Sequence, residues 1–250
     1  MKFSAASQSD IGLFRETNED SFCQFEPDDD RIRSEKGVLF IVADGMGGHQ
    51  GGEVASRLAV DFVKKFYYSF PENDPLRSLR HAFSEANRLI FERSLGDAAL
   101  FGMGTTCTAM VLLRDKAYFA HIGDSRAYVC RNGDILRLTM DHTLVEEMVR
   151  SGLLSREDAR IHPKKNVITK SLGTHEEIDV DTPSSPFDVK ENDIFLLCSD
   201  GLTSFVRDEN IKQTLEAFDP SKASQLLIDM ANELGGRDNI TVQVVKIDTV

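Results

Sequence analysis

Val38-Leu39-Phe40-Ile41-Val42-Ala43-Asp44-Gly45-Met46-Gly47-Gly48-His49 is the stretch that decides how this chain is read. Its apolar run is continuous enough to form a strand buried on both faces. The run stops at an aspartate followed by a glycine-rich turn. A carboxylate there is held rigidly at the lip of the strand, and the glycines let backbone, ligand or ion come close. The pattern returns at Ile194-Phe195-Leu196-Leu197-Cys198-Ser199-Asp200-Gly201 and, more loosely, at Ala117-Tyr118-Phe119-Ala120-His121-Ile122-Gly123-Asp124. Three strand-end aspartates predict a cluster of carboxylates, which repels itself unless a cation sits inside it.

The rest of the composition narrows the setting. A chain of 250 residues can bury one substantial core, and no composition shift divides it, so one domain over 1–250 is expected. The formal net charge of −12 argues against nucleic acid or an anionic membrane as partner, since both need clustered Lys and Arg. Cys23, Cys107, Cys130 and Cys198 are scattered without Cys-x-x-Cys spacing, which reads as reduced thiols rather than zinc ligands or disulfides. The first residues carry no apolar leader segment and nothing later could span a bilayer, so a cytoplasmic protein is expected.

Working outward from the quoted strand, Ser21 to Phe25 alternates as a second strand with Glu19 and Asp20 just before it. If the two strands lie antiparallel, Glu19 and Asp20 reach the same sheet edge as Asp44. The charged stretch from Glu26 to Lys36 reads as a hairpin loop. Helical spacing of apolar residues runs from Glu53 to Phe66 and again from Pro75 to near Gly96. Strands follow at Cys107 to Leu113, Ala127 to Cys130 and Ile135 to Leu138, the last two joined by Arg131-Asn132-Gly133-Asp134. Residues 139–175 break the pattern: Thr143 with Glu146 makes a capping box, and Ser155 to Arg160 a further short helix. This polar insertion reads either as a mobile flap beside the site or as a plain surface excursion. Two amphipathic helices, Asp208 to Phe218 and Pro220 to Leu234, precede Asp238 and a final strand from Ile240 to Ile247.

The acids at these strand edges are Glu19, Asp20, Asp44, Asp124, Asp200 and Asp238. An all-oxygen set suits magnesium, manganese or calcium and argues against zinc or copper. Acids drawn from strands far apart fit a binuclear site, not a twelve-residue calcium loop. Two ions about 3.5–4 Å apart lower the pKa of a bridging water toward neutral, which suits attack on a phosphate ester. Arg15, near Glu19 and Asp20, is then a bidentate phosphate clamp. No Gly-Lys-Ser/Thr follows the glycines, so a nucleotide-cradling loop is not indicated.

Six stretches occur together in one order: Asp10-Ile11-Gly12-Leu13-Phe14-Arg15-Glu16-Thr17-Asn18-Glu19-Asp20, Val42-Ala43-Asp44-Gly45-Met46-Gly47-Gly48, Gly104-Thr105-Thr106, Gly123-Asp124-Ser125-Arg126, Ser199-Asp200-Gly201 and Arg237-Asp238-Asn239. Together they resemble the successive motifs of the type-2C metal-dependent protein serine/threonine phosphatases, in the form of the bacterial branch. The resemblance implies an α+β fold, a four-layer α-β-β-α sandwich of two antiparallel sheets flanked by helix pairs. It also implies two Mn2+ or Mg2+ ions at one end, with Asp44 bridging them and Gly45 offering its carbonyl. Asp200 and Asp238 would hold one ion, with Glu19 and Asp20 contributing directly or through water. Asp124, with Asp200, resembles the ligands of a weaker third ion. Arg15 would bind the substrate phosphate, and Asn239 would lie beside it. Substrates would be phosphoserine and phosphothreonine proteins made by a serine/threonine kinase, handled by a monomer.

One departure stands out. Many eukaryotic members carry a histidine directly after the Asp-Gly, and here that position is Met46, which cannot donate a proton. His49 and His162 are the nearby alternatives. A non-catalytic regulatory module on the same fold is the competing reading. It is opposed by the retention of every metal aspartate.

Overall fold

The computed structural model describes residues 1–47 and 51–250. The strands are β1 (Lys2–Asp10), β2 (Asp20–Phe25), β3 (Val38–Met46), β4 (Gly104–Thr105), β5 (Cys107–Leu113), β6 (Lys116–Ile122), β7 (Arg126–Arg131), β8 (Asp134–Arg137), β9 (Phe187–Asp188), β10 (Ile194–Cys198) and β11 (Ile240–Thr249). The helices are α1 (Asp30–Lys36), α2 (Gly51–Ser69), α3 (Pro75–Gly96), α4 (Leu144–Arg150), α5 (Arg156–Ile161), α6 (Asp200–Thr203), α7 (Asp208–Ala217) and α8 (Pro220–Glu233).

The strands make two antiparallel sheets. One runs β1-β11-β10-β7-β8, the other β2-β3-β5-β6-β9, with the short β4 pairing β3. On β3 the side chains alternate between two cores. Leu39, Ile41 and Ala43 pack with α2 and α3, while Val38, Phe40 and Val42 meet the other sheet. β10 does the same in mirror fashion: Leu196 and Cys198 face α7 and α8, and Phe195 and Leu197 face the sheet that contains β3. A helix layer outside and a sheet inside explain why both strands read as unbroken apolar runs. The result is the four-layer sandwich expected from the motifs.

Local signals held where they were strongest. Asp74 and Asp219 accept from the first-turn amides of α3 and α8, and each helix has proline in its first turn. Asn132 and Gly133 adopt φ of 54° and 83°, the pair of left-handed residues that a two-residue hairpin loop needs.

Three readings are corrected. The stretch from Glu26 to Lys36 is not a plain hairpin loop: Asp29 accepts from Arg31 N and Ile32 N and starts α1. The edge strand β1 was not foreseen. Its Ser, Ala and Gln side chains lack an apolar period, and its pairing with β11, from Phe3 opposite Ile247 to Asp10 opposite Ile240, comes from the partner strand. The capping box of α4 is half formed. Thr143 accepts from Glu146 N, but the Glu146 carboxylate turns to Arg137 and Arg156 instead.

Candidate metal and phosphate site

The site lies where loops gather at one end of the two sheets. β2 and β3 run antiparallel with Asp20 directly opposite Asp44, as the sequence pattern required. Asp44 is gripped through its backbone. Its N–H donates to the Thr106 hydroxyl at 2.9 Å, and its carbonyl accepts from Thr105 Oγ1 and Thr106 N, both at 2.9 Å. The Thr106 hydroxyl is in turn 2.7 Å from that of Ser125, beside Asp124. Asp200 begins the helical turn α6 directly after β10. Ser199, one residue earlier, donates to Asp20 Oδ2 at 2.8 Å and accepts from Thr241 N at 2.9 Å.

Gly45 is a glycine for reasons of space. A Cβ there would fall 2.1 Å from Gly52 O and 2.7 Å from Glu19 O. The Glu19 carboxylate itself rests against Gly52, in the first turn of α2.

Arg15 reaches Asp238 at 2.8 Å and stands within range of the charges of Glu19 and Asp44. The hydrogen bond that its guanidinium donates to Asp238 holds it above the usual arginine range. Asn239 departs from its expected place at the substrate. It is 4% exposed, and its amide donates to Ile11 O and Thr17 O while its oxygen accepts from Glu19 N. All its polar atoms are therefore occupied in fixing the loop that carries Arg15 and Glu19.

The electrostatics are those of crowded, buried acids. Burial, then the charges of Asp20, Asp200, Asp124 and Asp238, pushes the Asp44 carboxyl well above the carboxylate range. Asp124 is also raised well above that range, by burial and then Asp200. Burial raises Asp20 to about 7 against the bonds from Thr241 and Ser199, and raises Asp200 to about 6 with help from Asp238. Glu19 is raised by burial, opposed by Arg15.

Among the described residues, no three of these groups close on a single point tightly enough to cage an ion as the side chains stand. The donor chemistry nonetheless fits hard cations. Asp20 and Asp124, 9% and 7% exposed, each leave a buried Oδ1 with no hydrogen-bond partner. A buried acceptor without a donor is costly, and a divalent ion satisfies several at once.

A cavity of about 210 Å³ borders Asp124 and Asp200, and residues 139–175 form its far wall through Arg156, Arg160 and Lys165. Ion pairs tie this wall down at its base. Arg126 grips Asp141 bidentately, at 2.9 and 2.6 Å, and Arg137 approaches both Asp141 and Glu146. His162 ends α5 with its ring accepting from Lys164 N. His49 lies outside the described residues.

Asp44, Asp124 and Asp200 were legible because each ends an apolar run, and Asp20 and Asp238 because each precedes a strand. The hydroxyls of Thr105, Thr106, Ser125 and Ser199 stood in the quoted motifs without a role. For Ser125 and Ser199 the adjacent aspartate was the signal that could have assigned one, whereas Thr105 and Thr106 meet Asp44 only in the fold.

Known proteins match this arrangement over nearly its whole length. The family model described as Protein phosphatase 2C matches residues 19–236. The serine/threonine phosphatase stp of Listeria monocytogenes is 38% identical over 249 residues, covering 98% of this chain and 96% of its own. The S. agalactiae serine/threonine phosphatase structure superposes with a TM-score of 0.88 at 36% identity, covering 99% of this chain and 100% of its own. The catalytic domain of the serine/threonine protein phosphatase PstP, solved with two manganese ions, gives a TM-score of 0.85 at 34% identity, covering 98% and 99% of the two chains.

Proposed function

The chain belongs to the protein phosphatase 2C family, and from that membership and its buried acids we infer that it hydrolyses phosphoserine and phosphothreonine in proteins with two manganese or magnesium ions. The observation that carries the reading is the grouping of buried Asp20 and Asp124 with half-buried Asp44 and Asp200, mutually repelling and partly unpartnered, with the cationic Arg15 beside Asp44.

Asp44 and Asp200 would hold the ions, with Asp238, Asp20, Glu19 and the Gly45 carbonyl completing the set. Asp124 would serve a third, weaker ion. When bound there, the ions acidify a water and neutralise charge on the phosphate. The chain's own residues do the rest. Arg15 supplies a planar fork of donors that matches phosphate oxygens. Asp238 aims that fork, and Asn239 fixes the backbone on which it stands. Thr105, Thr106 and Ser199 hold Asp44 and Asp20 in place by hydrogen bonds, so little reorganisation is needed when phosphate arrives.

The same reading extends further. Residues 1–250 act as one domain, with 139–175 as a flap over one side of the site. The substrates are proteins phosphorylated by a serine/threonine kinase, and the chain acts on them in the cytoplasm as a monomer, without nucleic acid or membrane. A net charge of −12 supports the exclusion of polyanionic partners, and no helix among the described residues is long and apolar enough to cross a membrane.

The test is hydrolysis of a phosphothreonine peptide with manganese, with and without EDTA, beside Asp200→Ala. Turnover that requires both the metal and Asp200 is expected. A metal-loaded wild type without turnover would leave only a regulatory module on this fold.

A further inference from the structure

The loop that carries Arg15 also carries two large apolar side chains turned to solvent. Leu13 is 66% and Phe14 71% exposed. Solvent-facing apolar residues on a loose loop carry little meaning, but this loop is held tightly. Gly12 N donates to Asp10 Oδ1 at 2.8 Å, and Leu13 N donates to Gly236 O at 2.7 Å. Asn239 binds the carbonyls of Ile11 and Thr17 on either side. Gly12, at φ 79°, lies so close to the facing loop that a Cβ would fall 2.2 Å from Asp238 O. Two loops from opposite ends of the chain are thus zipped together, and their seam presents Leu13 and Phe14 outward.

The seam continues over two glycines, where the side chains of Leu13 and Phe205 and the Asn232 amide oxygen lie. Leu13 lies across Gly236, where a Cβ would meet its Cγ at 2.8 Å, and the Phe205 ring lies across Gly235, where a Cβ would meet Cε1 at 2.9 Å. Gly235 and Gly236 have positive φ, 153° and 55°, and the absence of Cβ atoms leaves room for the two side chains. Arg15 follows Phe14 directly and its partner Asp238 stands two residues after Gly236. Phe205 follows the helical turn that Asp200 begins.

We propose that Leu13, Phe14 and Phe205, laid over Gly235 and Gly236, form a ledge at the mouth of the site that receives an apolar side chain next to the phosphorylated residue of a polypeptide substrate. The inference rests on the phosphatase reading above. Its occupant follows from continuity: a polypeptide whose phosphate sits at Arg15 must lay its neighbouring residues over the loop that bears Arg15. Apolar contact made there, away from the reacting bond, orients the phosphoresidue, and so it acts on kcat/KM. Burying one aliphatic or aromatic side chain on such a surface is worth about tenfold in discrimination.

The experiment compares two phosphothreonine peptides, with leucine or aspartate flanking the phosphothreonine, on the manganese-loaded full chain. The wild type is expected to prefer the leucine peptide by about tenfold in kcat/KM. In a Leu13→Ser, Phe14→Ser double variant the ratio should fall toward one, and in Phe14→Leu, which keeps the surface apolar, it should persist. A wild type that does not distinguish the peptides overturns the ledge, as does an unchanged ratio in the double variant. Failure to hydrolyse either peptide would instead overturn the phosphatase reading on which the ledge rests.

Discussion

The guanidinium of Arg15 lies 2.8 Å from the carboxylate of Asp238, although 223 residues separate them. On the proposed roles the pair would join the phosphate clamp to a metal ligand, so the two functions would share one ion pair. Arg15→Ala should therefore lower kcat/KM for a phosphopeptide by about 10–100-fold, mostly through KM, the loss of one or two charge-assisted hydrogen bonds. Arg15→Lys should recover only part, because a lysine cannot make the forked contact. Steady-state kinetics that show kcat alone falling would take Arg15 out of phosphate binding.

Asp44 and Asp200 repel their neighbours in the metal-free protein. Asp44→Asn should abolish turnover yet raise the thermal midpoint of the EDTA-treated protein, by about 2–4 °C for each kcal/mol of repulsion removed. Adding manganese should stabilise the wild type strongly and the variant little, by the linkage between binding and folding. Calorimetry with and without the metal checks both; equal stabilisation of the two proteins would remove Asp44 from the metal set.

Asp20 and Asp200 keep their protons in the fold up to about pH 7 and pH 6, whereas the unfolded chain releases them near 3.8. Over that window the folded state binds more protons than the unfolded state. Stability from these groups is therefore full below the unfolded value and is lost as pH rises through the folded values. The metal-free thermal midpoint should fall as pH rises from about 4 to about 7. Metal-bound protein should show the opposite trend, since ligands must be deprotonated to bind. Thermal scans across this range in EDTA settle the sign.

Asn239 anchors backbone on both sides of the Arg15 loop. Removing its amide in Asn239→Ala leaves buried backbone groups unpaired, at about 1–3 kcal/mol. The expected result is a lower thermal midpoint together with reduced kcat/KM. A change in KM with unaltered stability would return Asn239 to the substrate-binding role that its place in the sequence suggested.

Arg126 and Asp141 form the best-aligned buried ion pair near the site. Asp141→Ala leaves a buried guanidinium without its partner and should cost about 3–5 kcal/mol. Chemical denaturation measures this directly, and a loss under about 1 kcal/mol would mean that water replaces the carboxylate.

The sequence alone determined the architecture and the acids. Unbroken apolar runs at β3 and β10 indicated strands covered on both faces, and helical spacing located α2, α3, α7 and α8, while the four-layer arrangement followed from the resemblance of the ordered motifs to the phosphatase family. The aspartates stood out because a charge at the end of a buried strand has few structural uses. What the sequence left open depends on partners distant along the chain. β1 is a strand only because β11 supplies its hydrogen bonds. Glu146 leaves its capping box because two arginines compete for it, and Asn239 turns from the substrate because the loop at residues 11–19 offers three backbone groups at the right distance. Periodicity and local motif chemistry act within a few residues and can be read in one dimension. Which polar group satisfies which is decided by burial, and burial exists only once the chain has folded.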